Sequence, residues 1–93
     1  MKSYEDGAAK ILSDCANLLE LKGQDYNAGT VKRDDYYLYG RQSLMTMVHT
    51  KYLRLKSLID ADSTNFESVK DTLMDLINYS AIWADWEDRN GQH

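Results

Sequence analysis

Proline is absent from these 93 residues. Long helices tolerate that absence, and loop-rich folds rarely show it. Cysteine occurs once, so no internal disulfide can form, and a reducing, cytoplasmic setting is expected. No apolar run approaches the roughly 20 residues that a membrane-spanning helix needs. Met1-Lys2-Ser3 leads straight into charged residues, so no signal peptide is expected. There is no basic excess either. Eleven basic residues face 15 acidic ones, a net charge of -4. That balance lacks the positive footprint that a phosphate backbone selects, and it disfavours anionic membranes. Direct nucleic-acid and membrane partners are therefore not expected. The two histidines, His49 and His93, show no zinc-ligand spacing. There is no glycine-rich phosphate loop. No serine or cysteine has a histidine partner at a recognisable spacing.

What is present is helical periodicity. The length suits one domain, and 43% hydrophobic with 28% charged residues suits a folded one. A first helix is predicted from about Tyr4 to Lys22. Ser3 is its N-cap candidate, and Glu5 and Asp6 favour the positive end of its dipole. Ala8, Ile11, Leu12, Cys15, Leu18 and Leu19 form its stripe. Gly23 reads as a stop. The pattern lapses from Gly23 to Tyr39, which predicts a long loop with a short helical turn near Asp35. Structureless loops of that length are often functional.

A second helix is predicted from about Gly40 to Ala61, apolar along Leu44, Met47, Val48, Tyr52, Leu55, Leu58 and Ile59. Thr64-Asn65-Phe66-Glu67 matches a capping box, and a third helix runs from it to about Arg89. Its first half carries one stripe, Phe66, Val69, Leu73, Leu76 and Ile77. Its second half adds Tyr79, Ile82, Trp83 and Trp86, which spread around most of the cylinder. A helix apolar nearly all round is normally buried nearly all round. Two other helices cannot easily cover it. The expected fold is therefore all-α, a three-helix unit that assembles into a dimeric or higher helical bundle.

Three clusters can carry chemistry. Glu67, Asp71 and Asp75 recur every four residues, and Asn78 follows on the same face of the third helix. Carboxylates at that spacing repel by a few tenths of a kcal/mol, about the cost of an unfavourable i,i+4 pair. Either water solvates them or a cation such as Mg²⁺ compensates them. Lys51 and Arg54 lie one turn apart on the second helix, and Lys51 sits inside the apolar arc. Its ammonium must snorkel outward or meet an anion, whether Asp71, Asp75 or a substrate phosphate. Arg54 is expected to pair with the third helix. Around Gly23, Lys22, Gln24, Asp25, Tyr26 and Asn27 combine charge with an aromatic ring, and Tyr36, Tyr37 and Tyr39 follow. Rings beside cations can stack on a nucleobase, or they can staple the loop to the bundle.

Together these stretches resemble a known family. Lys22-Gly23-Gln24-Asp25-Tyr26 looks like a K-x-x-D-Y loop, and Lys51-Tyr52-Leu53-Arg54-Leu55 like a K-x-x-R-L helix. The run from Glu67 to Tyr79 is close to E-S-x-x-D-T-L-x-D-L-x-N-Y. The chain thereby resembles the nucleotide modification associated domain 1 family of phages and bacteria, which looks related to all-α nucleoside triphosphate pyrophosphohydrolases of MazG type. The resemblance covers roughly Lys22 to Trp83. It implies a helical, usually dimeric, phage-type protein of the host cytoplasm. It also implies Mg²⁺-dependent cleavage of a deoxynucleoside triphosphate to the monophosphate and pyrophosphate. On this reading Glu67, Asp71 and Asp75 are the catalytic carboxylates, and Lys22, Asp25, Tyr26, Lys51, Arg54 and Asn78 bind the nucleotide. The chain departs from the superfamily's metal motif in two places. Thr72 stands where E-x-x-D begins with glutamate, and the second helix has no E-x-x-E. A one-metal site, or binding without hydrolysis, is easier to build from these residues. The alternative is a non-enzymatic helical protein that engages a host factor or sequesters a nucleotide.

Overall fold

In a computed structural model, residues 3–61 and 66–91 are described, with side chains from Asp6 onward. The described residues contain three α-helices, one 3-10 turn and no strand. Helix α1 spans Ser3–Ala28, α2 Arg41–Asp60 and α3 Phe66–Asn90. No helix among these residues is long and apolar enough to cross a membrane. The chain divides into two compact units, one ending at Tyr36 and one beginning at Tyr37.

In the first unit, α1 does not stop at Gly23 but runs on to Ala28. A helix-interior glycine costs only about 1 kcal/mol relative to alanine, and the termination chemistry lies further on. The Lys32 ammonium donates to the carbonyls of Tyr26, Asn27 and Gly29 at 3.4, 3.2 and 2.9 Å. These are C-terminal carbonyls that lack helical partners, and a cation there also suits the dipole. The predicted 23–39 loop is correspondingly shorter. Its expected helical turn is present as the 3-10 turn Arg33–Tyr36. The Asp35 carboxylate accepts the Lys32 backbone N–H at 2.8 Å, and the Asp35 N–H donates to the Lys32 carbonyl at 3.0 Å. The Ser3 side chain, and with it the proposed N-cap, lies outside the described residues.

In the second unit, α2 and α3 form an antiparallel hairpin. Its observed helix ends fall within a residue or so of the predicted ones. The Thr64 half of the capping box lies outside the described residues. Gly40 precedes α2 with φ of 57°, a left-handed value that favours glycine. A Cβ there would lie 2.9 Å from Cζ2 of Trp86. At the far end of α3 the Gly91 N–H donates to the Glu87 carbonyl at 2.7 Å.

Two ion pairs mark the edges of this hairpin. Arg41 meets Glu87 through Nε–Oε2 at 2.6 Å and Nη2–Oε1 at 2.7 Å. Lys51 meets Asp75 at 3.1 Å. At about 100° per residue, Arg41 and Lys51 project to opposite sides of the line joining the two helices, and so do Glu87 and Asp75. Arg41 with Glu87 therefore edges one face and Lys51 with Asp75 the other. In the first-half stripe of α3, Phe66 and Leu73 are exposed, and Val69, Leu76 and Ile77 are half-buried. The residues of α3 that meet α2 include Asp75 and Tyr79, at Lys51, and Glu87, at Arg41. Thr72 is buried, its hydroxyl donating to the Ser68 carbonyl at 2.7 Å.

Candidate functional site

Lys51 is where the hairpin concentrates charge, aromatic surface and partial burial. Its side chain is 23% exposed, and its ammonium emerges against α3. It lies 3.1 Å from Asp75 Oδ2 and 5.8 Å from the centre of the Tyr79 ring. A cation over a tyrosine face gains about 0.5–2 kcal/mol, according to how dry the site is. Of the anions open to Lys51, the observed partner is Asp75.

Helical phase puts Arg54, Glu67, Asp71 and Asn78 on the same side as this pair. Glu67 and Asp71 are exposed. Arg54 is exposed too and meets no carboxylate among the described residues, so its expected ion pair with α3 does not form. Arg54 is left available to an external anion. Asn78 differs from all of these. It is 9% exposed. No buried side-chain nitrogen or oxygen among the described residues lacks a hydrogen-bond partner.

As for a metal, no group of three His, Cys, Asp or Glu side chains among the described residues comes together to hold one. Asp71 and Asp75 are one turn apart, but Asp75 is occupied by Lys51. The donor set is therefore too small for a resident ion held by protein alone.

The first unit holds the remaining predicted residues. Lys22 and Asp25 are exposed on the last turns of α1, and Tyr26 is half-buried. The Tyr26 ring is engaged twice within its own unit. The Arg33 guanidinium stacks 5.4 Å from its centre, and Tyr36 meets it edge-on at 5.6 Å. Arg33 also donates to the Leu19 carbonyl at 3.4 Å. Beside them lies an open groove of about 370 Å³ lined by Leu19, Glu20, Gly23, Gln24, Asn27 and Arg33. Tyr36 and Tyr39 remain largely exposed. Cys15 is a buried free thiol.

Sequence reasoning missed Lys32, Arg33, Arg41 and Glu87 as organising residues. Lys32 and Arg33 had a usable signal, since cations just beyond a helix C-terminus suit its carbonyls. Arg41 and Glu87 had none, being 46 residues apart. They meet in a two-pronged contact. Its hydrogen bonds, with a further one from the Trp83 indole N–H at 2.9 Å, hold Glu87 well below the usual carboxylate range, at about 2. The Arg41 guanidinium is raised in turn, chiefly by its hydrogen bond to Glu87.

No protein family, no curated protein and no solved structure matches this chain.

Proposed function

We propose that this chain is a small, homo-oligomeric nucleotide-binding protein of phage type that works in the host cytoplasm. Its phosphate-binding edge is the one built around Lys51. The observation that carries this reading is the Lys51 ammonium between the Asp75 carboxylate and the Tyr79 ring, on the same side of the hairpin as Asn78. In the empty protein Asp75 neutralises Lys51. A phosphate can take over that role while Arg54 supplies a second positive charge. Asn78 offers one acceptor and two donor hydrogens, a set suited to a sugar hydroxyl or a base edge. Lys22, Asp25 and Tyr26 belong to the same reading as further nucleotide contacts.

Binding without turnover suits these residues best, because Asp75 is tied to a lysine and Thr72 stands where the resemblance calls for a carboxylate. Mg²⁺ enters as a companion of the nucleotide's phosphates, with Asp71 and Asp75 as its protein ligands. Mg²⁺ is commonly held through one or two carboxylates plus substrate oxygens. The stronger version of the reading adds hydrolysis to monophosphate and pyrophosphate, with Glu67, Asp71 and Asp75 activating water. A second reading, a non-enzymatic protein that engages a host factor, is favoured by the exposure of Phe66 and Leu73.

A thermal-shift series with the common ribo- and deoxynucleoside triphosphates, with and without Mg²⁺, tests the proposal. A ligand at 100 times its dissociation constant stabilises the fold by about 2.7 kcal/mol, and the melting temperature should rise accordingly. Pyrophosphate release in the same samples separates turnover from binding. If no nucleotide at millimolar concentration moves the transition, the nucleotide reading fails.

A further inference from the structure

We propose that the last five residues of α1, 24–28, are a hinged element. Lys32 latches them in helical form, and Gly23 is the pivot at which they unwind. The whole device lies within the first unit. It goes beyond the nucleotide reading, because the turn opens and closes in the chain alone.

By its own sequence this turn is a poor helix. Gly23 weakens the helix interior, and Asp25, Tyr26 and Asn27 are all weaker helix formers than alanine. The last turn of α1 holds no basic residue. Asp25 places a negative charge there instead, at the end of the dipole that is already negative. Packing adds little. Gln24, Asp25, Asn27 and Ala28 are exposed, and Tyr26 is half-buried. Segments with few buried contacts and exposed backbone bonds are the ones that open locally.

What holds the turn arrives from outside the helix. Lys32 is the cation that the turn lacks, and its ammonium donates to the carbonyls of Tyr26, Asn27 and Gly29. Asp35 fixes Lys32 in place by accepting its backbone N–H. Arg33 prepares the pivot. Its Nη2 donates at 3.4 Å to the Leu19 carbonyl, the acceptor that helical geometry assigns to the Gly23 N–H. A break at Gly23 would orphan that carbonyl, and the Arg33 hydrogen bond already satisfies it. Helices kink where a side chain inserts into the i→i−4 ladder. The consequence falls on Tyr26. With the turn latched, Arg33 stacks on its ring and Tyr36 meets its edge. Unwinding carries Tyr26 away from both and frees the ring face. Gln24 and Asn27 move with it, and the groove they line beside Arg33 is dismantled. The latch thus exchanges one surface for another, a groove when shut and a bare aromatic ring when open.

The experiment is residue-resolved amide hydrogen exchange of the full chain, followed by NMR without nucleotide. Lys32→Met keeps most of the stem and removes the charge. In that variant the amides of residues 24–28 should exchange faster by a factor of about 10 or more, since charge-assisted hydrogen bonds to the helix end are lost. The amides of residues 12–18 should keep the parent's rates, which sets the break at Gly23. Gly23→Ala should act in the opposite sense and slow exchange over residues 24–28 by roughly two- to fivefold. Lys32 is exposed and a Cβ at Gly23 meets only an ordinary contact, so both variants should fold. Unchanged exchange over residues 24–28 in Lys32→Met overturns the latch. Acceleration that reaches evenly back to residue 12 overturns the pivot at Gly23, and so does unchanged or faster exchange in Gly23→Ala. Nucleotide binding is measured separately on the wild-type chain, so neither failure bears on the nucleotide reading.

Discussion

The Lys51 ammonium and the Asp75 carboxylate, 3.1 Å apart, join α2 to α3 on side chains that are 23% and 34% exposed. This intermediate burial fixes the scale of the pair. Fully exposed pairs contribute about 0–1 kcal/mol, and removing one partner of a fully buried pair costs about 3–5 kcal/mol. Asp75→Asn should therefore destabilise the protein by about 1–3 kcal/mol, between those limits. A purely solvated acidic face predicts the opposite sign, a slight stabilisation as repulsion is relieved. Urea melts of the two proteins decide between them, and an unchanged or raised midpoint removes the pair as a structural element.

Gly23→Ala should stabilise. Gly23 lies inside α1, and a Cβ there meets only Arg33 Nη2 at 3.5 Å, an ordinary contact. Alanine in place of glycine in a helix interior contributes about 0.5–1 kcal/mol. Thermal unfolding checks this. A lower melting temperature would mean that α1 breaks at Gly23 in solution.

Gly40→Ala should do the reverse. The φ of 57° strains any L-residue, and the new methyl would lie 2.9 Å from the Trp86 ring. The backbone alone costs about 1–3 kcal/mol, and displacement of the indole adds to it. The midpoint should fall, and the tryptophan emission should shift with it. A variant as stable as the parent would show that the turn before α2 can take another form.

The resistance of Glu87 to protonation gives a pH prediction. Its folded value is about 2, against an ordinary 4.5. A carboxylate held low stabilises the fold fully above the ordinary value, and the contribution is lost as pH falls through the folded one. An acid titration should therefore show a stability loss between about pH 4.5 and 2 that is smaller in Glu87→Gln, whose side chain does not titrate. Identical acid profiles would remove the Arg41–Glu87 contact as their cause.

The ends of α2 and α3 were legible because periodicity and end signals coincide there. The end of α1 was not. Gly23 resembles a stop, and the side chain that caps the helix, Lys32, folds back from beyond it. The Lys51–Asp75 pair stood among the alternatives open to Lys51, because the apolar arc already pointed that lysine at another helix. Arg41–Glu87 left no trace along the chain, since no pattern on one helix reports the register of another. The Phe66–Leu73 stripe shows a further limit. Spacing says which residues share a face, but not which neighbour that face meets or how far it is covered: Phe66 and Leu73 stay exposed.

The two edge pairs also have a mechanical consequence. Arg41 and Lys51 are ten residues apart, about 15 Å along α2 at helical rise, and they clamp opposite margins of the same hairpin. A roll of either helix about its axis that slackens one clamp stretches the other. The hairpin is thereby stiff in torsion in both senses, like a plate bolted at two diagonal corners. Releasing one bolt, as a phosphate competing for Lys51 would do, frees rotation in only one direction.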